Sequence, residues 1–319
     1  MTAERILITG AGGYLGGRLL ERLVAQGRRS ILATDVRQVP AAERLPGVEY
    51  RVLDVRDAAL GDLVAAHRSE VVVHLAAIVN PGPDSRRDFE YSVDVGGTEN
   101  VLAACRTHGV RRLVVTSSGA AYGYHPDNPR WLTEDHPPRG NREFPYAWHK
   151  RLVEERLAEV RREHPALEQV VLRLGTVLGE HTRNQITNLF DKPRLVGIRG
   201  GDDRFVFIWD EDVARCLEHA LDAPSPGVYN VAGDGALSMA ELAERMGKPY
   251  WRLPALPVRL ALTLGKPLRL TRYGPEQVRF VQYRPVLSNR RLREDFGFVP
   301  EKTSSEVFDL YWGARQPSP

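Results

Sequence analysis

The chain has 319 residues, a length that suits one large domain or two closely associated ones. Its 44 basic and 41 acidic residues leave a formal net charge of +3, which gives no reason to expect nucleic acid or an anionic membrane as partner. The only cysteines, Cys105 and Cys216, are too few for a disulfide framework or a structural zinc site. Because we see no signal peptide and no membrane-spanning run in the sequence, we expect a cytoplasmic protein. The nine histidines show no zinc-ligand spacing, so no metal is expected.

Short apolar runs alternate with helical patterns along the first two-thirds of the chain. The predicted strands are Arg5–Thr9, Ser30–Asp35, Val48–Asp54, Val71–Ala77, Arg112–Ser117 and Val170–Thr176. The predicted helices between them include Gly16–Gln26, Ala58–His67, Phe89–His108 and Tyr146–Glu163. Apolar strands that alternate with helices indicate a parallel sheet covered on both faces. The sequence therefore predicts an α/β fold with a Rossmann-type doubly wound parallel sheet.

This alternation ends after Gly179. Residues 180–204 are polar and predicted as a loop. Two further strands, Arg204–Trp209 and Val228–Val231, are predicted on either side of a helix over Asp212–Leu221.

The C-terminal third has a weaker pattern, with one clear helix start. Ser238–Glu241 forms a capping box, and Gly247 can end the helix that follows it. We expect a Rossmann domain over 1–179, with 204–235 returning to it, and a smaller interleaved substrate-binding domain over 180–203 and 236–319.

A glycine-rich loop, TGAGGYLG (9–16), follows the first predicted strand and opens the first helix. Gly10 permits the tight turn, Gly13 lets the backbone approach a pyrophosphate, and Gly16 allows the helix to pack closely on the strand. The helix N-terminus then offers N–H groups and a positive dipole end to phosphates. The loop, including Tyr14 and Leu15, is predicted to bind a dinucleotide.

An acidic residue, Asp35, ends the second strand about 20 residues beyond the loop. A carboxylate there binds the adenosine ribose hydroxyls and repels a 2′-phosphate, so NAD is favoured over NADP. Arg37, two residues further on, softens that preference. After the fourth strand, Leu75, Ala76 and Ala77 are predicted to pass close to the cofactor, where small side chains are needed.

A tyrosine and a lysine four residues apart, Tyr146 and Lys150, begin the helix that precedes the sixth strand. That spacing places both side chains on one helix face. Because an ordinary tyrosine has a pKa near 10, it is a poor base at neutral pH, and a neighbouring ammonium lowers that pKa. We expect Tyr146 to exchange the proton of a substrate hydroxyl, and Lys150 also to bind the nicotinamide ribose.

Two serines end the fifth strand. A hydroxyl at this edge can donate to the substrate oxygen and share its proton with Tyr146. We assign this role to Ser118, since Ser117 is expected to remain within the strand, beside the cofactor.

The chain resembles the extended short-chain dehydrogenase/reductases in the order and spacing of five segments: TGAGGYLG, HLAA, TSSGAAYG, YAWHK and RLGTVLG. They are similar in particular to the NAD-dependent epimerase/dehydratase family, over about residues 5–235, and SNRRLREDFGFVP resembles that family's closing motif. The resemblance implies that Ser118, Tyr146 and Lys150 form a catalytic triad, and that Asp54 and Val55 meet the adenine.

The resemblance also implies a partner and a substrate class. Many relatives act on nucleotide-sugars with tightly held NAD. They dimerise through the helices that here carry Glu99–His108 and Tyr146–Arg161.

Three departures from the family pattern bear on the substrate. Gly119 and Ala120 replace the Asp-Glu pair of sugar-nucleotide dehydratases, so dehydration is not expected. The segment after the sixth strand lacks the nucleotide-holding Asn of UDP-sugar epimerases, and Asp94 replaces a common Asn. Arg204 resembles the family's phosphate-binding arginine, although the segment between Arg204 and Asp212 is one residue longer than in the family pattern.

The substrate side is predicted least well. Tyr122, Thr176 and Arg204 are the candidate substrate residues, and Tyr124 and His125 lie in the same loop as Tyr122. A set of arginines is equally consistent with a diphosphate site and with a solvated basic face: Arg252, Arg259, Arg269 and Arg272. His74 is interpreted as a core residue, and His149 as structural.

Three functions remain open. The leading hypothesis is a nucleotide-sugar epimerase that oxidises a carbinol transiently with bound NAD. The alternative is a net ketone reductase or alcohol dehydrogenase on a substrate without a nucleotide. A non-catalytic NAD-binding sensor is disfavoured by the intact triad.

Overall fold

The computed structural model describes residues 5–82, 85–184, 186–268, 270–271 and 273–316. Arg269 and Arg272, considered above for a diphosphate, lie outside these ranges.

A seven-stranded sheet forms the centre of the molecule, and every pair of neighbouring strands in it is parallel. Its strands are β1 (Ile6–Thr9), β2 (Ile31–Asp35), β3 (Val48–Val52), β4 (Val71–His74), β5 (Arg112–Ser118), β6 (Glu168–Leu174) and β10 (Gly227–Val231). They lie in the order β10-β6-β5-β4-β1-β2-β3. The doubly wound sheet predicted from the sequence is confirmed, and its strand order reverses between β1 and β4.

Helices cover both faces of this sheet. They are α1 (Tyr14–Ala25), α2 (Ala59–His67), α3 (Arg87–Tyr91), α4 (Gly97–Thr107), α5 (Pro145–Glu163) and α7 (Asp210–Asp222). Ile6 and Ile8 point into a core shared with α1 and α7, whereas Leu7 points into a core shared with α2, α4 and α5. This alternation accounts for strands that are apolar at every position.

The remaining elements build a smaller unit at one side. They are β7 (Thr176–Leu178), α6 (Thr187–Phe190), β8 (Leu195–Ile198), β9 (Phe207–Trp209), α8 (Met239–Arg245), β11 (Tyr250–Leu253), α9 (Ala255–Gly265), α10 (Gln277–Gln282), α11 (Arg290–Glu294) and α12 (Ser304–Gly313). All of them except α9 and α11 contribute to an aromatic core that includes Phe190, Phe205, Phe207 and Phe308. Leu292 of α11 packs instead into the core of the central sheet. The capping box is confirmed, with Ser238 as N-cap of α8.

Two expectations for this region are wrong. Residues 180–204 contain α6 and β8 and are not a plain loop. The strand predicted over Arg204–Trp209 begins only at Phe207. It pairs with β7 in a separate two-stranded sheet, and Phe205 and Phe207 pack into the aromatic core beside it. The division into two domains stays a prediction.

No helix in the described ranges is both long and apolar enough to cross a bilayer.

Candidate active site

A cavity of about 870 Å³ lies along the carboxyl ends of β1, β4, β5 and β6. In an open α/β sheet, ligands bind at this edge, where the strand order reverses. The walls come from the glycine loop, the segments after β4, β5, β6 and β7, and α10.

The glycine loop forms one end of the cavity. Gly10 has a φ of +70°, and a Cβ there would lie 2.6 Å from the backbone N of Ala76. A Cβ on Gly16 would lie 2.4 Å from the carbonyl oxygen of Gly10. Gly13 is the N-cap of α1 and makes no side-chain cap hydrogen bond, so the first turn of α1 presents backbone N–H groups to the cavity. Only glycine fits both close approaches.

Two further predicted cofactor residues, Tyr14 and Leu15, line the cavity beside the loop. The hydroxyl of Tyr14 donates to Asp210 and receives a hydrogen bond from Thr182. This ties the glycine loop to α7 and to the segment after β7.

The acid at the end of β2 is engaged with the loop. Asp35 accepts hydrogen bonds from the backbone N–H of Gly12 at 3.0 Å and of Arg37 at 2.9 Å. The Arg37 side chain lines the cavity and donates to the carbonyl of Gly12. Asp35 thus fixes the loop next to the place predicted for the adenosine ribose.

Asp54 and Val55, which were predicted to meet the adenine, lie outside the cavity lining. Asp54 is held by Arg56, which keeps the pKa of that carboxyl below its usual range. Val55 is buried against Gly97 of α4. Neither lines the cavity, and their contact with adenine stays a prediction. Leu75 and Ala77 do line it.

The three predicted catalytic side chains meet at the centre of the cavity. Ser118, the last residue of β5, is hydrogen-bonded to the hydroxyl of Tyr146. Lys150 Nζ donates to the carbonyl oxygen of Thr116 at 2.8 Å and lies 5.7 Å from the centre of the Tyr146 ring. Pro145 at the first turn of α5 fixes the start of the helix that carries both residues.

The expectation that Lys150 lowers the pKa of Tyr146 is not met. Burial raises the pKa of Tyr146 well above its usual range, and the hydrogen bond from Ser118 opposes that shift only in part. Burial also lowers the pKa of Lys150, against the attraction of Asp94 and Glu154. The phenol is therefore held in its protonated, proton-donating form.

A buried ion pair supports the catalytic edge from behind. Arg173 on β6 and Glu154 on α5 are joined at 2.6 Å, with both side chains almost fully buried. Glu154 also accepts a hydrogen bond of 2.5 Å from Ser117. The Ser117 side chain is thus committed to the protein, although the residue lines the cavity as predicted.

The prediction that Tyr122 contacts substrate is wrong. Its side chain is buried, and its hydroxyl contacts Arg173, Asn230 and the carbonyl of Thr133. Two residues along, Tyr124 does line the cavity.

Asp94 lies in a turn of π-helix, Ser92–Gly96, which interrupts the single helix predicted over Phe89–His108. One carboxylate oxygen accepts from the N–H of Ile78 at 2.8 Å, and the other contacts His149 Nδ1 at 2.9 Å. Ile78 lines the cavity, so Asp94 connects α5 to the segment after β4. The structural interpretation of His149 agrees with these contacts.

The substrate end of the cavity contains residues that the sequence analysis missed. Thr176 lines it as predicted, but Arg204 does not: its guanidinium pairs with Asp202 and turns away. The next residue, Phe205, faces the cavity instead, opposite Phe280 of α10.

A half-buried cation, Arg284, lies among these rings. The Arg284 guanidinium lies 4.2 Å from the centre of Phe205 and 4.8 Å from that of Phe280. Among the described residues its Nη1 has no hydrogen-bond partner, and burial lowers the pKa of Arg284 to about 10. The group remains charged at neutral pH and unsatisfied, which suits an anionic ligand. Its only sequence signal is an arginine four residues after Phe280.

The family model described as "NAD dependent epimerase/dehydratase family" matches residues 6–232, more than half of the chain. The chain belongs to this family. Its cofactor is NAD, and it is an enzyme of the short-chain dehydrogenase/reductase type.

Curated relatives of this family member differ in their activities. An uncharacterized protein of Mycobacterium tuberculosis is 27% identical over 98% of this chain and 85% of its own. The 2-alkyl-3-oxoalkanoate reductase of Stenotrophomonas maltophilia is 28% identical over 95% of this chain and 96% of its own. The UDP-glucose 4-epimerase of Mus musculus is 30% identical over 57% of this chain and 56% of its own.

A solved structure supports the fold and the cofactor. The short-chain dehydrogenase/reductase superfamily protein from Agrobacterium tumefaciens with bound NAD is 26% identical, with a TM-score of 0.71. The match covers 98% of this chain and 97% of that protein.

Proposed function

We propose that the chain is an NAD-dependent reductase of ketones, or dehydrogenase of the corresponding secondary alcohols, that exchanges its cofactor at each turnover. The observation that carries this proposal is the composition of the substrate end. Phe205 takes the place where Arg204 was expected, and Tyr124, Phe280 and Leu287 complete an apolar chamber beside Ser118 and Tyr146. Such a chamber suits a ketone with an apolar body better than a diphosphate.

Three residues of the chain handle the proton. Tyr146, protonated at neutral pH, donates its hydroxyl proton to the substrate carbonyl oxygen during reduction. Ser118 hydrogen-bonds the same oxygen and orients Tyr146. Lys150, on the same face of α5, holds the ribose side of the cofactor. The cofactor, when bound, would supply the hydride as NADH during ketone reduction and accept it as NAD⁺ during alcohol oxidation.

A likeness to a reductase supports this substrate class. The Stenotrophomonas maltophilia enzyme, a 2-alkyl-3-oxoalkanoate reductase by name, matches nearly the whole of both chains. A 3-oxoalkanoate combines a ketone, an apolar body and a carboxylate. The half-buried guanidinium of Arg284, whose Nη1 lacks a partner among the described residues, can bind such a carboxylate.

Nucleotide-sugar epimerisation is the second candidate, because the mouse UDP-glucose 4-epimerase is a relative and His181 and Arg183 line the cavity mouth. In this reaction Tyr146 first removes the hydroxyl proton and later returns it. The ketone intermediate rotates in the site between the two hydride transfers, so that its other face receives the hydride, and no net NADH is consumed.

A comparison of two reactions separates the candidates. The purified protein is incubated with NADH and a medium-chain 3-oxo acid, and separately with NAD and UDP-glucose. We expect one NADH to be consumed per ketone and no UDP-galactose to form. UDP-galactose production without net NADH consumption would establish the epimerase instead.

We also propose a homodimer formed through α4 and α5, in the cytoplasm. The support is the family resemblance of these helices. Light scattering of the purified protein tests the dimer, and a monomeric mass at micromolar concentration would contradict it.

A further inference from the structure

Helix α9 exposes an apolar face to solvent. Leu256, Leu260 and Leu264 recur every four residues and are 67%, 54% and 65% exposed. The opposite face, with Gly265 buried and Leu262 half-buried, packs toward the protein, where α9 contacts α10. The three exposed leucines therefore do not pack into the hydrophobic core.

The apolar surface continues beyond the helix. Leu268 and Leu270 are 67% and 79% exposed, and Trp251 and Tyr273, which precede and follow these leucines in the sequence, are about half exposed. Contiguous exposed apolar surface of this kind marks an interaction site in soluble proteins. Tryptophan and tyrosine are enriched where proteins meet the headgroup region of membranes.

The charge of this segment identifies the partner. Residues 248–275 contain six basic and no acidic residues, whereas the whole chain has a net charge of only +3. Lys248 donates to backbone carbonyls and Lys266 pairs with Glu276, so Arg252 and Arg259 are the described cations of this segment that a partner can use. On α9, Arg259 lies at the border between the leucine face and the packed face, as helical spacing dictates. A leucine face bordered by basic residues is the pattern of helices that lie in the plane of an anionic membrane.

We propose that α9 and the residues after it, the leucine surface (Leu256, Leu260, Leu264, Leu268 and Leu270), dock this enzyme on anionic phospholipid membranes. The leucines enter the headgroup boundary, and Arg252 and Arg259 contact lipid phosphates. Because α10 carries Phe280 of the cavity, docking brings the substrate entrance close to the bilayer. This proposal does not depend on which substrate the enzyme uses.

Vesicle sedimentation of the full-length protein tests the proposal. We expect the protein to sediment with vesicles of phosphatidylglycerol and phosphatidylcholine, and to be released in salt of about 0.5 M. Leu260→Gln/Leu264→Gln is expected to weaken binding at least about tenfold. The control Val299→Gln changes a valine as exposed as Leu260, at 54%, on another surface and is expected to bind as the unaltered chain does.

A second variant separates the charge contribution. Arg252→Gln/Arg259→Gln is expected to weaken binding to anionic vesicles roughly tenfold without changing binding to phosphatidylcholine alone. Failure of the unaltered chain to sediment with anionic vesicles would overturn the proposal, as would full binding by the double leucine variant. Self-association that the double leucine variant abolishes would assign the surface to a second copy of the chain and overturn it too.

Discussion

At Arg284, stability and substrate binding oppose each other. Burial of the Arg284 Nη1 atom without a hydrogen-bond partner costs folding free energy, and an apolar side chain of similar length removes that cost. Arg284→Met is expected to raise the melting temperature by a few degrees and to raise KM for a 3-oxo acid roughly 10- to 100-fold. Thermal unfolding and steady-state kinetics measure the two effects.

The neutral ester of the same acid is the matched control for Arg284. If the Arg284 guanidinium binds the carboxylate of the 3-oxo acid, the variant and the unaltered enzyme should have similar KM values for the ester. An equal loss with acid and ester would show that Arg284 only shapes the cavity.

His74 makes the folded state sensitive to acid. It is buried between the hydroxyls of Thr9 and Thr98, and burial lowers its pKa to about 3. Below the unfolded pKa near 6.5 the unfolded chain binds a proton that the folded chain does not. Stability is thus fully present above pH 6.5 and is lost as the pH falls, by about 2 kcal/mol at pH 5.

His74→Gln keeps hydrogen-bonding groups at this position but has no titratable ring. Urea unfolding at pH 7 and pH 5 should show the variant losing about 2 kcal/mol less than the unaltered chain over this interval. Equal losses would mean that other groups set the acid sensitivity.

Among the elements, the π-helical turn at Ser92–Gly96 has a direct effect on the site. It is a local widening of the helix, a feature frequent at functional sites. It brings the Asp94 carboxylate to Ile78 and His149, where its charge raises the pKa of both Tyr146 and Lys150.

Asp94→Asn retains an oxygen for the Ile78 N–H but removes the charge. The pKa of Tyr146 should fall, so the alkaline limb of the reduction rate should move to lower pH. A pH–rate profile of kcat measures this shift. An unmoved limb with reduced stability would indicate a purely structural role.

The Glu154–Arg173 pair links α5 to β6 behind the catalytic serine strand. Because both groups are buried, Glu154→Gln leaves an uncompensated cation and should destabilise the fold by about 3–5 kcal/mol. Adding Arg173→Met should restore most of that loss, as denaturant unfolding of both variants would show. A double variant as unstable as the single one would mean that the pair's charges are not the cause.

On the scale of the whole molecule, the sequence predicted the sheet, the glycine loop and the triad because local patterns specify them. Strand periodicity and the strand–loop–helix context need no long-range information. The bounds of β1, β2 and β5 agree with the prediction within one residue.

The substrate end could not be predicted in this way. Phe205 belongs to the distant core around Phe190 and Phe308, and the Arg204 guanidinium pairs with Asp202, so long-range packing determines which of the two lines the cavity. The extra residue between Arg204 and Asp212 was the only local sign. The meeting of Arg284 with Phe205 likewise joins segments nearly 80 residues apart, as their numbers show.

The central claim, that Tyr146 passes the proton while NAD carries the hydride, has a direct test in single-turnover oxidation of NADH by Tyr146→Phe. With a saturating ketone substrate, we expect the rate to fall about 10²- to 10⁴-fold, while the Kd for NADH measured by fluorescence stays within about twofold, since the substitution leaves the glycine loop intact. A Tyr146→Phe enzyme that oxidises NADH at the unaltered rate would contradict the account.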